Sequence, residues 1–230
     1  IEQYQGNAFA DPLKSFFKKL LGHLAPLDLS KMKAMNRFVS YLPNGVNTTS
    51  YEALETLSLA CKEQRSVEIS YQSASTGNTG LRIINPRHLV NYSGNWYLLA
   101  SLPNEDETLC FHLARMGKKI VLKKPFETKS TFDLSKVRKD AFGIFIGHKK
   151  HKVKVLFDKL AAPYVAEKKW NPSQKTRPKS DGSLIFEIVV CDLIEIKAWI
   201  LSWGSHAKVL APQELIKEIK TELAKSIDSY

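Results

Sequence analysis

Leu13, Phe16, Phe17, Leu20, Leu21 and Leu24 recur at the three-and-four spacing of one helix face. Asp11-Pro12 ahead of them reads as an N-cap followed by proline at the first helical position, and Gly22 with Pro26 marks the end. A weaker helical pattern runs from Leu29 to Phe38, and Pro43-Asn44-Gly45 predicts a turn. Thr49, with Glu52 three residues on, reads as a capping box. It would open a helix running to about Glu63, with Tyr51, Leu54, Leu57 and Cys61 on one face.

The period then changes from 3.6 to 2. Val67, Ile69 and Tyr71 alternate with polar residues and lead into a Gly/Ser/Thr/Asn-rich turn from Ser73 to Gly80. Further short strands are predicted at 81–84, 88–92, 95–101, 108–114 and 118–123, with Ser93-Gly94 as a tight hairpin turn. Short strands at this spacing suggest a small, strongly bent sheet or barrel. Residues 126–150 are irregular and basic, a candidate linker. Beyond them come a strand at Lys152–Phe157, a short helix at 159–168 and a strand at Leu184–Val190. A helix at Asp192–Trp203, ended by Gly204, a strand at Ala207–Leu210 and a last helix opened by Pro212 complete the chain. The expected class is α+β. Its parts are a helical connector (1–64), a small β-domain (65–125), the basic linker (126–150) and a C-terminal α+β domain (151–230) with helices on one face of a small sheet. No internal repeat is visible.

Composition narrows the class. At 230 residues and 43% hydrophobic, the chain can bury one large core or two small ones. Its longest apolar runs (Ile83-Ile84, Leu98-Leu99-Ala100, Ile188-Val189-Val190) are far too short to span a bilayer. No basic segment followed by an apolar stretch opens the chain, so a cytoplasmic location without membrane contact is expected. The first residue, Ile1 rather than Met, is what a fragment or a processed chain would show. Cys61, Cys110 and Cys191 lie far apart and match no metal-ligand or redox spacing, which predicts buried thiols, no metal and no cofactor.

Charge is unevenly placed. The stretch from Arg115 to Lys154 holds thirteen Lys/Arg against three Asp/Glu, so ten of the eleven net positive charges fall there. A concentrated positive field draws phosphate polyanions, although a solvated basic surface would read the same way.

Four blocks, in order and at a characteristic spacing, carry a family resemblance. They are Ile69-Ser70-Tyr71, Leu81 to Leu89 (LRIINPRHL), Asn95-Trp96-Tyr97-Leu98-Leu99-Ala100 and Phe111 to Met116 (FHLARM). Residues 67–116 resemble the WYL domain of bacterial transcription regulators. The tail resembles the C-terminal extension that often follows it, through Val153–Phe157, Trp170–Gln174, Asp181–Leu184, Trp199–Gly204 and Ala207–Pro212. Together the two cover roughly residues 50–226. The N-terminal helical part resembles the connector that joins a winged helix-turn-helix to WYL in the family, but no winged helix-turn-helix is visible in this sequence.

The resemblance implies an Sm-like, SH3-type β-barrel that senses a ligand, with single-stranded nucleic acid or a nucleotide as the effector. It also implies a homodimer, and duplex DNA read by an upstream domain. The residue chemistry agrees. Arg82 and Arg115 offer planar donor forks suited to phosphate oxygens. Tyr71, His88 and His112 add hydroxyl and imidazole contacts, and an exposed ring can stack on a base. On a flat strand Phe111, Leu113 and Arg115 share one face and His112 and Ala114 the other, so Arg115 and His112 meet in one pocket only across a bend or bulge. The family tends to place an arginine two residues before the aromatic of this block; here that residue is Leu109.

Each candidate has a structural counterpart. Trp96 shares a strand face with Leu98, and Trp199 and Trp203 form an i, i+4 stripe, so these rings suit cores. Trp170 is expected to be structural too. Arg82 could pair with a carboxylate, and His148-Lys149-Lys150-His151 could be a plain solvated run. Gly-Ile-Phe-Ile-Gly at 143–147 does not fit a phosphate-cradling pattern. Catalysis finds no footing: no nucleophile elbow, HExxH or Walker pattern is present, and Cys110 with His112 lacks a third group to orient a base. Two further readings stay open: direct single-strand binding, and a ligand-free dimerising interaction module.

Overall fold

A computed structural model describes residues 49–74, 76–127, 132–147 and 149–230. The helices expected at 13–24 and 29–38, and the turn at 43–45, lie outside the described residues. Two compact units divide the chain, Ile1–Phe132 and Asp133–Tyr230.

The described part of the first unit opens with α1 (Tyr51–Glu63). Its N-cap is Ser50, not the expected Thr49: the Ser50 hydroxyl accepts from the Ala53 N–H at 3.1 Å. A cap serves the amide two or three residues on, and Ala53 is the third residue after Ser50. Glu52 therefore sits one position short of a capping box, although its charge suits the first turn. Leu54, Leu57 and Ala60 are fully buried against the sheet, while Tyr51 is half exposed and Cys61 half buried.

Five strands follow: β1 (Arg65–Gln72), β2 (Thr79–Tyr92), β3 (Asn95–Ser101), β4 (Leu109–His112) and β5 (Met116–Pro125), in the order β4-β3-β2-β1-β5, each pair antiparallel. The two strands expected at 81–84 and 88–92 are one long strand. β2 pairs with β1 through residues 79–84 and with β3 through 85–92. Pro86 is tolerated mid-strand because the register shifts between Pro86 and His88, a bulge where a ladder donor can be missing. Ser93 (φ 50°) and Gly94 (φ 80°) make the tight β2–β3 turn, with both residues at positive φ as a two-residue hairpin loop of this kind requires.

The expected closed barrel is not formed by the described strands. β4 is only four residues long, and the chain leaves its plane in a 3-10 turn at Leu113–Arg115. β5 then joins the free edge of β1 rather than β4, and the sheet stays open but bent. Alternation on β1 sinks Val67, Ile69 and Tyr71 into a core with Ile84, Leu98, Ala100, Phe111 and Leu113, and Trp96 packs at its margin.

The second unit begins with a short helix, α2 (Leu134–Val137). It continues through β6 (His151–Phe157), α3 (Ala162–Ala166), β7 (Lys175–Pro178), β8 (Leu184–Val190), α4 (Ile194–Leu201), β9 (Ala207–Ala211) and α5 (Gln213–Asp228). From β6 on, the βαββαβ run closes into an antiparallel sheet of order β7-β8-β6-β9, the split arrangement of a ferredoxin-like unit, with α5 added. Strict alternation buries Val153, Val155 and Phe157 of β6 and Leu184, Phe186, Ile188 and Val190 of β8 under Val165, Ile196, Ile200 and Leu215 from the helices. Trp199 is the hub of an aromatic cluster. Phe142, Phe157, Trp170, Phe186 and Trp203 all place ring centroids 5.0–6.2 Å from it. β7 carries no apolar alternation and is exposed throughout, which is why the sequence pattern does not mark it.

Candidate ligand-binding site

The five residues expected to contact a ligand lie in the first unit, and Tyr71 organises four of them. Its ring is buried at the end of β1 and packs edge-on to Phe111 at 5.1 Å. The Arg82 guanidinium lies over the Tyr71 ring, 5.7 Å from its centroid; Arg82 pairs with Ile69 and so shares the inner face of the sheet. The Tyr71 hydroxyl accepts the His112 backbone N–H at 3.2 Å, which ties β1 to the end of β4.

His112 does structural work at a turn. Its Nδ1 accepts the Ala114 N–H at 3.2 Å and caps the 3-10 turn that carries Arg115. With Nδ1 an acceptor, the neutral ring carries its proton on Nε2, which faces Asn95 Oδ1 at 3.3 Å as donor. The ring also meets Tyr97 edge-on at 4.8 Å, its cross-strand partner. Burial, and then the positive charge of Arg115, hold the imidazole below its usual pKa. The 3-10 turn at 113–115 supplies the bend that a flat strand lacks, and it brings the Arg115 charge within range of the His112 ring. Arg82 and Arg115 are both exposed.

His88 stands apart. It is exposed on the second half of β2 and stacks on Phe132 at 5.7 Å and 20°. No described contact joins it to the Tyr71 group. Nearby in sequence, Arg87 lies 5.2 Å from the Phe126 ring. Asn95 and Tyr97 belong to the site as partners of His112, and sequence reading missed that role. The β3–β4 register, Tyr97 opposite His112, is what would have exposed it.

The other candidates resolve into structure. Lys149 pairs with Glu214 at 3.5 Å and Lys150 with Asp140 at 2.7 Å, and His151 Nδ1 lies 3.8 Å from the Glu214 carboxylate; His148 lies outside the described residues. Burial pushes the Cys61 thiol up to about 11 and also raises Cys191, which keeps both protonated near neutral pH. Among the described residues no group of His, Cys, Asp and Glu could hold a metal ion, and no helix is long and apolar enough to cross a membrane.

An anion receptor emerges where none was expected. The Gly143, Ile144 and Phe145 N–H groups donate to the Glu195 carboxylate at 3.0, 2.9 and 3.0 Å. The Gly-Ile-Phe-Ile-Gly segment is therefore a cradle, filled by the chain's own carboxylate.

Residues 52–120 match the WYL domain and residues 149–227 the WCX domain. The chain carries a WYL domain followed by a WCX domain. Among solved structures it is similar to a CRISPR Cas-related protein at 14% identity, with a TM-score of 0.52 over 76% of this chain and 50% of that one. It also matches proteasome accessory factor B/C (PafBC) of Arthrobacter aurescens at 21% identity, with a TM-score of 0.37 over 79% of this chain and 28% of that one. The chain thus spans half or less of the length of these two proteins. No curated protein matches it.

Proposed function

We propose that the chain is the ligand-sensing and dimerising region of a bacterial transcription regulator, and that its WYL unit takes a phosphate-rich effector, single-stranded nucleic acid or a nucleotide, at the Tyr71 cluster. The observation that carries this reading is a pair of exposed guanidinium groups, Arg82 and Arg115, at the two ends of one contact chain through Tyr71 and His112. Guanidinium forks match phosphate oxygens two donors at a time. Tyr71 orients Arg82 from beneath. His112 is a positioning residue: it holds the turn from which Arg115 projects. His88, stacked on Phe132 away from this cluster, offers a separate ring on which a base can stack.

The role is binding, not catalysis. The WCX unit is assigned to dimerisation, and the effector acts by favouring one arrangement of the dimer over another. Duplex DNA is read by a domain beyond these residues. The proposed division is a connector over 1–64, a sensor over 65–125 and an extension over 151–230; residues 133–150, expected as part of a linker, fall in the second compact unit.

The test is equilibrium binding of a labelled single-stranded oligonucleotide to the chain and to its R82A/R115A variant, with dimerisation followed by sedimentation. Weakened binding in a variant that still folds supports the reading. Unchanged binding removes the Tyr71 cluster as the site. Binding with no effect on the dimer favours a direct single-strand binder over a sensor.

A further inference from the structure

The WCX sheet has a second face. Helices pack on the side where Val153, Val155, Phe157, Phe186 and Ile188 point. The register sets a different row on the other side. Lys152, Lys154 and Leu156 of β6 oppose Val189, Glu187 and Ile185 of β8. Lys175 and Arg177 of β7 oppose Glu187 and Ile185, and Lys208 of β9 opposes Leu156. Directly paired residues project to the same face, so five cations and one carboxylate share this surface with Leu156, Ile185 and Val189.

Glu187 is the anchor of the cation array. Lys154 and Arg177 each reach it at 3.1 Å. The Lys154 hydrogen bond, with the charges of Arg177, Lys154 and Lys175, holds its carboxyl below the usual range, so it stays ionised and fixes its neighbours. Lys152 and Lys208 are exposed, with no carboxylate in ion-pair range among the described residues. A cleft of about 380 Å³ opens here, lined by Lys152, Lys154, Lys175, Glu187, Val189 and Ala211 among others.

We propose that this open face of the WCX sheet is a binding surface for single-stranded nucleic acid, additional to the Tyr71 cluster of the WYL unit. The cations are spread over β6, β7 and β9. Residues two apart on a strand are roughly 6.6 Å apart, so a single phosphate meets only part of the array while a chain of phosphates spans it. Lysine heads on long stems follow a backbone without demanding fixed geometry. The aliphatic side chains between them suit a ligand that shows phosphates and unstacked base or sugar faces together. A duplex hides its base faces and would leave that apolar surface uncovered.

The test uses the full chain in the R82A/R115A background, so that the Tyr71 cluster does not contribute. Lys152 and Lys208, together with Lys175, whose charge acts on Glu187 from the neighbouring strand, are then removed as K152A/K175A/K208A, with fold checked by circular dichroism. The probes are a labelled single strand of roughly 12 nucleotides, within the usual span of a single-strand binding fold, the matching duplex and a polyglutamate peptide. Binding is followed from about 50 to 200 mM salt. The expected result is single-strand binding by the background chain. The triple variant should then lose roughly tenfold or more at low salt, with the salt slope reduced by about 2, as three phosphate contacts on a single strand imply. Absence of single-strand binding in the background, or equal binding by the triple variant, overturns the proposal. So does loss confined to the duplex or to the peptide; the latter would point to an acidic protein partner. Oligonucleotide binding abolished by R82A/R115A alone would leave the WYL site standing and remove this one.

Discussion

Glu195 closes a loop of the WCX unit from within, and the cost of opening it can be worked out. Its carboxylate accepts three backbone N–H bonds, from Gly143, Ile144 and Phe145. Hydrogen bonds to a charged group contribute about 1.5–3 kcal/mol each, but water can take over part of the loss. Phe145 is exposed and its amide is readily solvated, whereas Ile144 is 2% exposed and its amide is not. Glu195→Ala should therefore cost about 2–4 kcal/mol, or on the order of 10–20 °C in the melting temperature of a unit this size. Gly143→Ala should produce much the same loss by another route. A Cβ there would collide with the Glu195 carboxylate and force it out of the cradle. Gly143 is not among the described glycines with positive φ, so its backbone accepts alanine. In the Glu195→Ala background the Gly143 substitution should then be nearly silent. Urea unfolding of the four proteins, read by tryptophan fluorescence, gives the cycle. A coupling energy of about 2 kcal/mol is expected. Additive losses, or a Glu195→Ala cost below about 0.5 kcal/mol, would refute the reasoning.

Trp199→Ala should cost about 3–5 kcal/mol by removing the ring on which five other aromatics converge, measurable in the same unfolding assay. Tyr71→Phe keeps the ring beside Arg82 but removes the oxygen that accepts the His112 N–H. A loss of about 1–2 kcal/mol is expected, with oligonucleotide binding weakened less than by Arg82→Ala. His112 is held neutral in the fold, with its pKa lowered. The unfolded chain therefore takes up the proton first as pH falls below about 6.5, the ordinary histidine value. The stability tied to His112 is full above that value and is lost as pH falls toward the lower folded value. His112→Gln should flatten the stability profile over that window relative to the parent chain; profiles of equal slope would contradict the assignment.

Much of this was legible in the chain because one face of each sheet is buried. Period 2 at Val67–Tyr71, Lys152–Phe157 and Leu184–Val190 is the direct trace of that burial, and Gly94, free to take positive φ, announced the turn after β2. What escaped was set by partners distant in sequence. Two strands are expected on either side of residues 85–87, yet a register shift against β3 carries one strand through Pro86. The bend at Leu113–Arg115 depends on the His112 side chain turning back on the Ala114 amide, and no alternation records that. The 143–145 cradle shows no phosphate pattern because its anion is Glu195, fifty residues downstream. Of the candidate site residues, Tyr71 touches both Arg82 and His112, and Arg115 follows on the turn that His112 caps, while His88 stacks on Phe132, which sequence alone gave no reason to place beside it.

The most direct test of the sensing claim is the salt dependence of single-strand binding by the intact chain and by R82A/R115A. If the two guanidinium groups neutralise phosphates, removing them lowers the slope of log affinity against log salt by about 1.4, two contacts at roughly 0.7 each, and weakens binding most at low salt. The same slope and affinity in the variant would contradict the account.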